Sequence, residues 1–204
     1  MNCKDLYERV YALFDKVTPL DDVDCGLACD AACCKGDKDE GMYLYPGEMA
    51  MYDGAEKWIS VEKSEFYIDD IPVPIAICDG KCDRKKRPLA CRIFPLMFYA
   101  KRGDKTIKIQ MDPRARAMCP LARVLTVDDL SEQFVLNVTE AADMLSEYKE
   151  IMEFIYEQSE MIDELPDLGN FDIQDILDEF NWNDFEDDGE YEDDSETDSS
   201  AEEE

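Results

Sequence analysis

Nine cysteines and no histidine in 204 residues set the terms on which this chain can fold and act. Without imidazole there is no His-based catalytic triad, no His-x-x-x-His zinc catalysis and no imidazole proton shuttle. What remains is sulfur chemistry. Eight of the thiols fall into two groups: Cys25, Cys29, Cys33 and Cys34 form the first, and Cys78, Cys82 and Cys91 the second, with Cys119 farther on before Pro120. Thiolates are soft donors suited to zinc, copper(I) or iron–sulfur clusters, and four of them complete a tetrahedral zinc site or the cysteinyl shell of a cluster. Zinc ribbons usually present Cys-x2-Cys knuckles; none occurs here, which favours an iron–sulfur cluster over zinc. Neighbouring side chains diverge, so Cys33 and Cys34 suit two different metals, two irons of one cluster, or one ligand beside a structural or resolving thiol.

The chain opens on MNCKDLYERVYALFDKV, which carries charge throughout and reads as neither a secretion signal nor an anchor. The longest apolar runs, 71–78 and 93–100, are far short of the ~20 residues a spanning helix requires. The expectation is a cytoplasmic protein without membrane contact. In a reducing compartment, metal ligation accounts for many cysteines better than a disulfide scaffold does.

A formal charge of −30, from 21 basic and 51 acidic residues, argues against nucleic acid as a partner. The charge is uneven: residues 1–149 hold every Lys and Arg, whereas 150–204 hold 24 acids and no base. From Asn183 the acidic run lacks the apolar mass needed to offset ordering entropy, so 183–204 reads as a disordered tail. Its use is solubility or electrostatic contact with a basic protein surface, an unknown partner among them. Before it, 166–182 contains a short amphipathic segment with Phe171, Ile173, Ile176, Leu177 and Phe180 on one side. The remaining 1–165 is the expected cysteine-cluster domain. Between Lys81 and Arg123 it carries 13 bases against three acids. Cations there would lower thiol pKa values and balance the negative charge of a tetrathiolate centre.

Leu6, Val10, Leu13, Phe14 and Val17 have the period of an amphipathic helix. Tyr45-Pro46-Gly47-Glu48 starts a brief helix through Met51; 57–61, 65–68 and 73–77 have strand composition, with Pro72 and Pro74 marking the last as an edge strand or extended arm. Strands on either side of Arg102-Gly103-Asp104 form a hairpin. From Val127 the apolar period is helical again, with a break near Ser146 and a stop at Pro166. These elements make an α+β fold: a small metal-stapled domain with cysteine-rich loops, a small antiparallel sheet and C-terminal helices.

CGLACDAACC at 25–34, CDGKCDRKKRPLACRIFP at 78–95 and the final Cys119-Pro120 together resemble the YkgJ-type cysteine-cluster family, described as zinc- or iron-chelating proteins. The likeness spans about 25–120. Its most specific part is Arg87-Pro88-x-x-Cys91-Arg92-x-Phe94-Pro95, and Glu48 resembles the acidic residue carried after the first cluster. Cys3 has no counterpart. The resemblance implies chelation by Cys25, Cys29, Cys33, Cys34, Cys78, Cys82, Cys91 and Cys119, with an iron–sulfur cluster or zinc as occupant; the expected use of such a centre is electron transfer, metal handling or stapling of the fold. A related pattern accompanies flagellin lysine N-methylases, which adds a redox or methyl-transfer metalloenzyme as an alternative, with Glu48 or a free cysteine as its reactive group. The other alternative is an interaction module working through the acidic tail, with the metal as scaffold.

Overall fold

The computed structural model describes residues 2–21, 23–35, 41–80 and 82–165. The expectations for Lys81, for 166–182 and for 183–204 lie outside those residues. In chain order the elements are α1 (Cys3–Ala12), the single turn α2 (Cys25–Ala28), β1 (Gly41–Tyr43), β2 (Ile59–Ile68), β3 (Ile71–Cys78), α3 (Leu89–Ile93), β4 (Leu96–Tyr99), β5 (Lys108–Met111), the short helices α4 (Ala115–Met118) and α5 (Pro120–Val124), α6 (Glu132–Ser146) and α7 (Lys149–Asp163). The architecture is α+β: an antiparallel sheet in the order β1-β3-β2, the separate hairpin β4-β5, and a C-terminal helical pair. No helix among the described residues is long and apolar enough to cross a membrane.

The core forms where helical and strand periods present apolar residues to one another. Leu6, Tyr7, Val10 and Tyr11 of α1 are buried with Phe134, Val138 and Leu145 of α6 and with Phe154 and Ile155 of α7. Fully burying such side chains is worth about 1.5–3 kcal/mol each relative to exposure. Asn2 caps α1 by accepting from the Lys4 N–H, and Ser131 caps α6 by accepting from the Phe134 N–H. α1 stops at Ala12, short of Val17, because the chain turns there into a loop tied by the Thr18 hydroxyl, which donates to the Val23 carbonyl at 2.6 Å. The break near Ser146 falls at the end of α6.

β3 differs from the sequence reading: it is the central strand, not an edge. Its prolines fit because the ladder to β2 is interrupted beside them. Lys63 pairs with Pro74 and Tyr67 with Pro72, and the register shifts between those two pairs. No proline N–H is needed across that bulge. Ser64 bridges the gap, its hydroxyl donating to the Val73 carbonyl at 2.7 Å and accepting from the Phe66 N–H at 3.1 Å. On the other side, the Pro74 carbonyl accepts from the Leu44 N–H at 2.8 Å. The bulge also joins the two runs 57–61 and 65–68, expected as separate strands, into the single strand β2. β3 therefore runs through the middle of the sheet and delivers Cys78 at its end.

Candidate metal centre

Two loops bring the cysteine groups together. In the first, Asp24 caps α2 by accepting from the Gly26 N–H at 3.0 Å, and the Cys29 thiol donates to the Cys25 carbonyl at 3.3 Å. Asp30 and Ala31 then adopt left-handed backbone, φ 52° and 51°, and a 3-10 turn over Ala32–Cys34 follows. In the second, Cys78 ends β3, Gly80 turns the chain at φ +80°, and Asp83 caps a 3-10 turn over Arg84–Lys86. Pro88 leads into α3, which carries Cys91.

The loops meet at Gly80. A Cβ there would lie 2.8 Å from the Cys34 carbonyl oxygen, so only glycine allows both the turn and the approach. Gly80→Ala should lower stability by about 1–2 kcal/mol through the left-handed backbone alone, and it should push the Cys34 carbonyl away. Urea unfolding reads the first effect and thiol alkylation at Cys34 the second; wild-type values for both would show that the loops do not need this contact.

Cys33 and Cys34 from the first loop and Cys78, Cys82 and Cys91 from the second line one cavity of about 130 Å³. Trp58, Phe94, Met42 and Met118 give it an apolar wall, and Arg87 is its cation. Arg87 Nε donates to Cys82 Sγ at 3.2 Å. Burial pushes the Cys91 thiol well up, while Arg87 opposes that and Cys78, Cys34 and Cys82 add to it as anions. Burial also pushes up Cys78, with Cys82 and Cys34 again among its neighbours. Cys78 and Cys91 thus each feel Cys34 and Cys82 as neighbouring charges. The adjacent thiols lie Sγ to Sγ at 3.9 Å, and their hydrogen bond pushes Cys33 up and brings Cys34 down to about 6. Cys33 is exposed and also feels Cys25, whose own thiol is raised by burial and then by Asp24. Both thiols of the pair thus line the cavity with the second group, and Cys33 feels Cys91 as well as Cys25.

Cys25 and Cys29 do not line the cavity, and neither does Cys119. Cys119 is 6% exposed and packs with Ala115 and Ala122 against Phe94, Met111 and Leu121. Phe94 belongs both to that cluster and to the cavity wall. Among the described residues, no group of three Cys, Asp or Glu side chains is gathered tightly enough to hold a metal ion. The thiols surround a shared space and do not close on a point within it.

Several cations of the basic stretch are taken up singly. Arg102 is taken by Glu153, Glu157 and Glu160, Arg114 by Asp112, Lys86 by Glu56, and Arg123 by the Arg116 and Ala117 carbonyls. Arg87 faces the thiols, and Arg84 pairs with Asp24 at 3.1 Å beside Cys25. Glu48 is away from the cavity: it is fully buried and accepts from the Tyr11 hydroxyl and the Leu89 and Tyr45 N–H groups. The acid considered from sequence for proton handling therefore faces neither the cavity nor solvent. Tyr11, Tyr52 and Arg92 join Glu48 in a polar cluster that sequence reasoning missed. Glu48 and Arg92 stand in the sequence only as parts of the motifs that carry the resemblance, and nothing local ties them to each other or to Tyr11 and Tyr52. No protein-family model, curated protein or solved structure matches the chain.

Proposed function

We propose that this chain is a metal-binding protein whose cysteines hold an iron–sulfur cluster or zinc, in an electron-transfer, metal-handling or structural role. The observation that carries the reading is the meeting of five thiols, from two stretches more than 40 residues apart, around one cavity with a guanidinium on one of them. Soft sulfur donors with a nearby cation fit a group that carries net negative charge once bound. Cys34, Cys78, Cys82 and Cys91 would hold it, with Cys33 beside them. Cys25, Cys29 and Cys119 complete the set implied by the resemblance to the YkgJ-type family, outside this cavity. The space favours a cluster over a lone ion, because about 130 Å³ is roughly ten times what one water molecule needs. A bound cluster supplies one-electron chemistry, and zinc supplies a fixed crosslink. The apolar wall of Trp58, Phe94, Met42 and Met118 would limit water at either, and the N–H of Arg87 on sulfur would tune it. Cytoplasmic location, and contact of the acidic tail with a basic protein partner, belong to the same proposal.

Protein purified without oxygen should be brown, with broad visible absorption and iron and sulfide in matching amounts. Colourless protein with stoichiometric zinc would select the other occupant. Protein free of both, from cells supplied with iron and zinc, would end the reading.

A further inference from the structure

Beside the cysteines, but not in the cavity wall, a buried acid and a buried base occupy positions where apolar side chains would pack. Glu48 is 0% exposed; its Oε1 accepts from the Tyr11 hydroxyl at 2.5 Å and the Leu89 N–H at 2.6 Å, and its Oε2 from the Tyr45 N–H at 2.9 Å. Arg92 is 6% exposed, with its guanidinium carbon 3.9 Å from the centre of the Tyr11 ring. It donates to the carbonyls of Lys85 at 2.6 Å, Arg87 at 2.7 Å and Tyr11 at 3.2 Å. The Tyr52 hydroxyl, 3.4 Å from that of Tyr11, donates to the Lys86 carbonyl at 3.0 Å. One network, drawn from α1, the turn at Gly47 and α3, therefore grips the main chain at 85, 86, 87 and 89.

Those four positions lie between Cys82 and Cys91. The segment has little regular structure to hold it, only a 3-10 turn, Pro88 and the first turn of α3. Its shape is set by side chains reaching in from other elements. A half-satisfied buried polar network is worse than an apolar core, whereas a fully bonded one fixes a single geometry. Here every polar atom of the Glu48 carboxylate has a donor and every nitrogen of Arg92 has a carbonyl. We propose that Glu48 and Arg92 are positioning residues for the metal centre: Arg92 fixes the backbone that aims Arg87 at Cys82, and Glu48 fixes the first turn of the helix that carries Cys91. The proposal rests on the metal reading above, but its geometry can be tested apart from metal.

Arg92→Lys keeps the charge and loses the fork that reaches three carbonyls. Glu48→Gln keeps the size and sets an amide against an N–H that needs an acceptor. In full-length, metal-loaded protein, each should speed metal loss to a competing chelator by about tenfold or more, the range seen when groups that orient metal ligands are removed. Tyr11→Phe, which removes one bond to Glu48, should have a smaller effect in the same direction. Leu145→Val, in the core on α6, which supplies no side chain to this network, controls for general destabilisation and should leave the rate unchanged well below its melting temperature. Wild-type release rates in both Arg92→Lys and Glu48→Gln would overturn the proposal, as would equal acceleration in Leu145→Val.

If wild-type protein holds no metal, the metal reading fails and the positioning claim is still read by alkylation of Cys82 and Cys91 in native protein, followed by mass spectrometry. Both thiols should then react faster in the two variants than in wild type and in Leu145→Val. Equal reactivity in all four proteins would sink the positioning claim itself.

Discussion

With the cavity as the proposed metal site, Cys91→Ser should yield protein with no metal bound there, and should loosen 82–93 while the helical core stays folded. Cys91 is buried beside three other thiols of the cavity, feeling Cys34, Cys78 and Cys82 as charges, and it shares Arg87 with Cys34 and Cys82. A serine hydroxyl is a hard, weakly acidic donor and does not replace a thiolate on a soft cation. Structural zinc contributes on the order of 10 kcal/mol to folding in small peptides, so the loss in the cysteine loops should be large. It should be confined to them. The cluster built on Leu6, Phe134, Val138, Phe154 and Ile155 has its own buried area and includes none of the cysteines. Hydrogen exchange should therefore show lost protection across 82–93 and near-native protection in α6 and α7, with elemental analysis showing the missing metal. Cys119→Ser should differ, keeping the cavity metal, because Cys119 sits in a separate apolar cluster. Full loading of Cys91→Ser, or equal loss in Cys119→Ser, would remove the cavity from consideration as the site. Thiols must shed protons to bind, so loading at fixed free metal should also fall on acidification.

The parts of this protein that obey a local period were legible in its sequence. The spacing of Leu130, Phe134, Val138, Ala141 and Leu145 locates α6, and Arg102-Gly103-Asp104 locates the β4-β5 turn, because each depends on residues a few positions apart. What needed contact between distant stretches was not legible. Pro72 and Pro74 mark an edge by local rule, yet a bulge opposite Val73 allows β3 to sit in the centre. The cysteines were legible as a donor set but not as a grouping. Cys33 and Cys34 reach one cavity with Cys78, Cys82 and Cys91 only because two left-handed residues precede them and Gly80 lets the loops touch. Glu48 drew notice as an acid near the cysteines, and the sequence suggested chemistry for it. Its three donors come from positions 11, 45 and 89, and only the folded chain reveals that it holds a backbone in place.

Phe154→Ala should cost about 3–5 kcal/mol, the usual range for deleting a buried phenylalanine side chain. Phe154 is 0% exposed on α7, and its ring meets those of Tyr45 at 4.8 Å and Phe66 at 6.1 Å between centroids. It thereby joins α7 to β2 and to the turn that carries Glu48. Three elements converge on the ring, so the space left behind cannot close without moving a helix against a sheet, and the loss should fall in the upper part of the range. Against a total stability of about 5–15 kcal/mol for a domain of ordinary size, this is a substantial fraction. The urea midpoint should fall at constant slope, since the surface exposed on unfolding barely changes. Phe66→Ala should cost less, because Phe66 is only partly buried. A loss below about 1 kcal/mol for Phe154→Ala would mean that α7 does not pack on Tyr45 and β2 in solution. The Tyr45 N–H, which donates to Glu48, should also feel the change, so the metal of Phe154→Ala should be released faster as its melting temperature is approached and at the wild-type rate far below it.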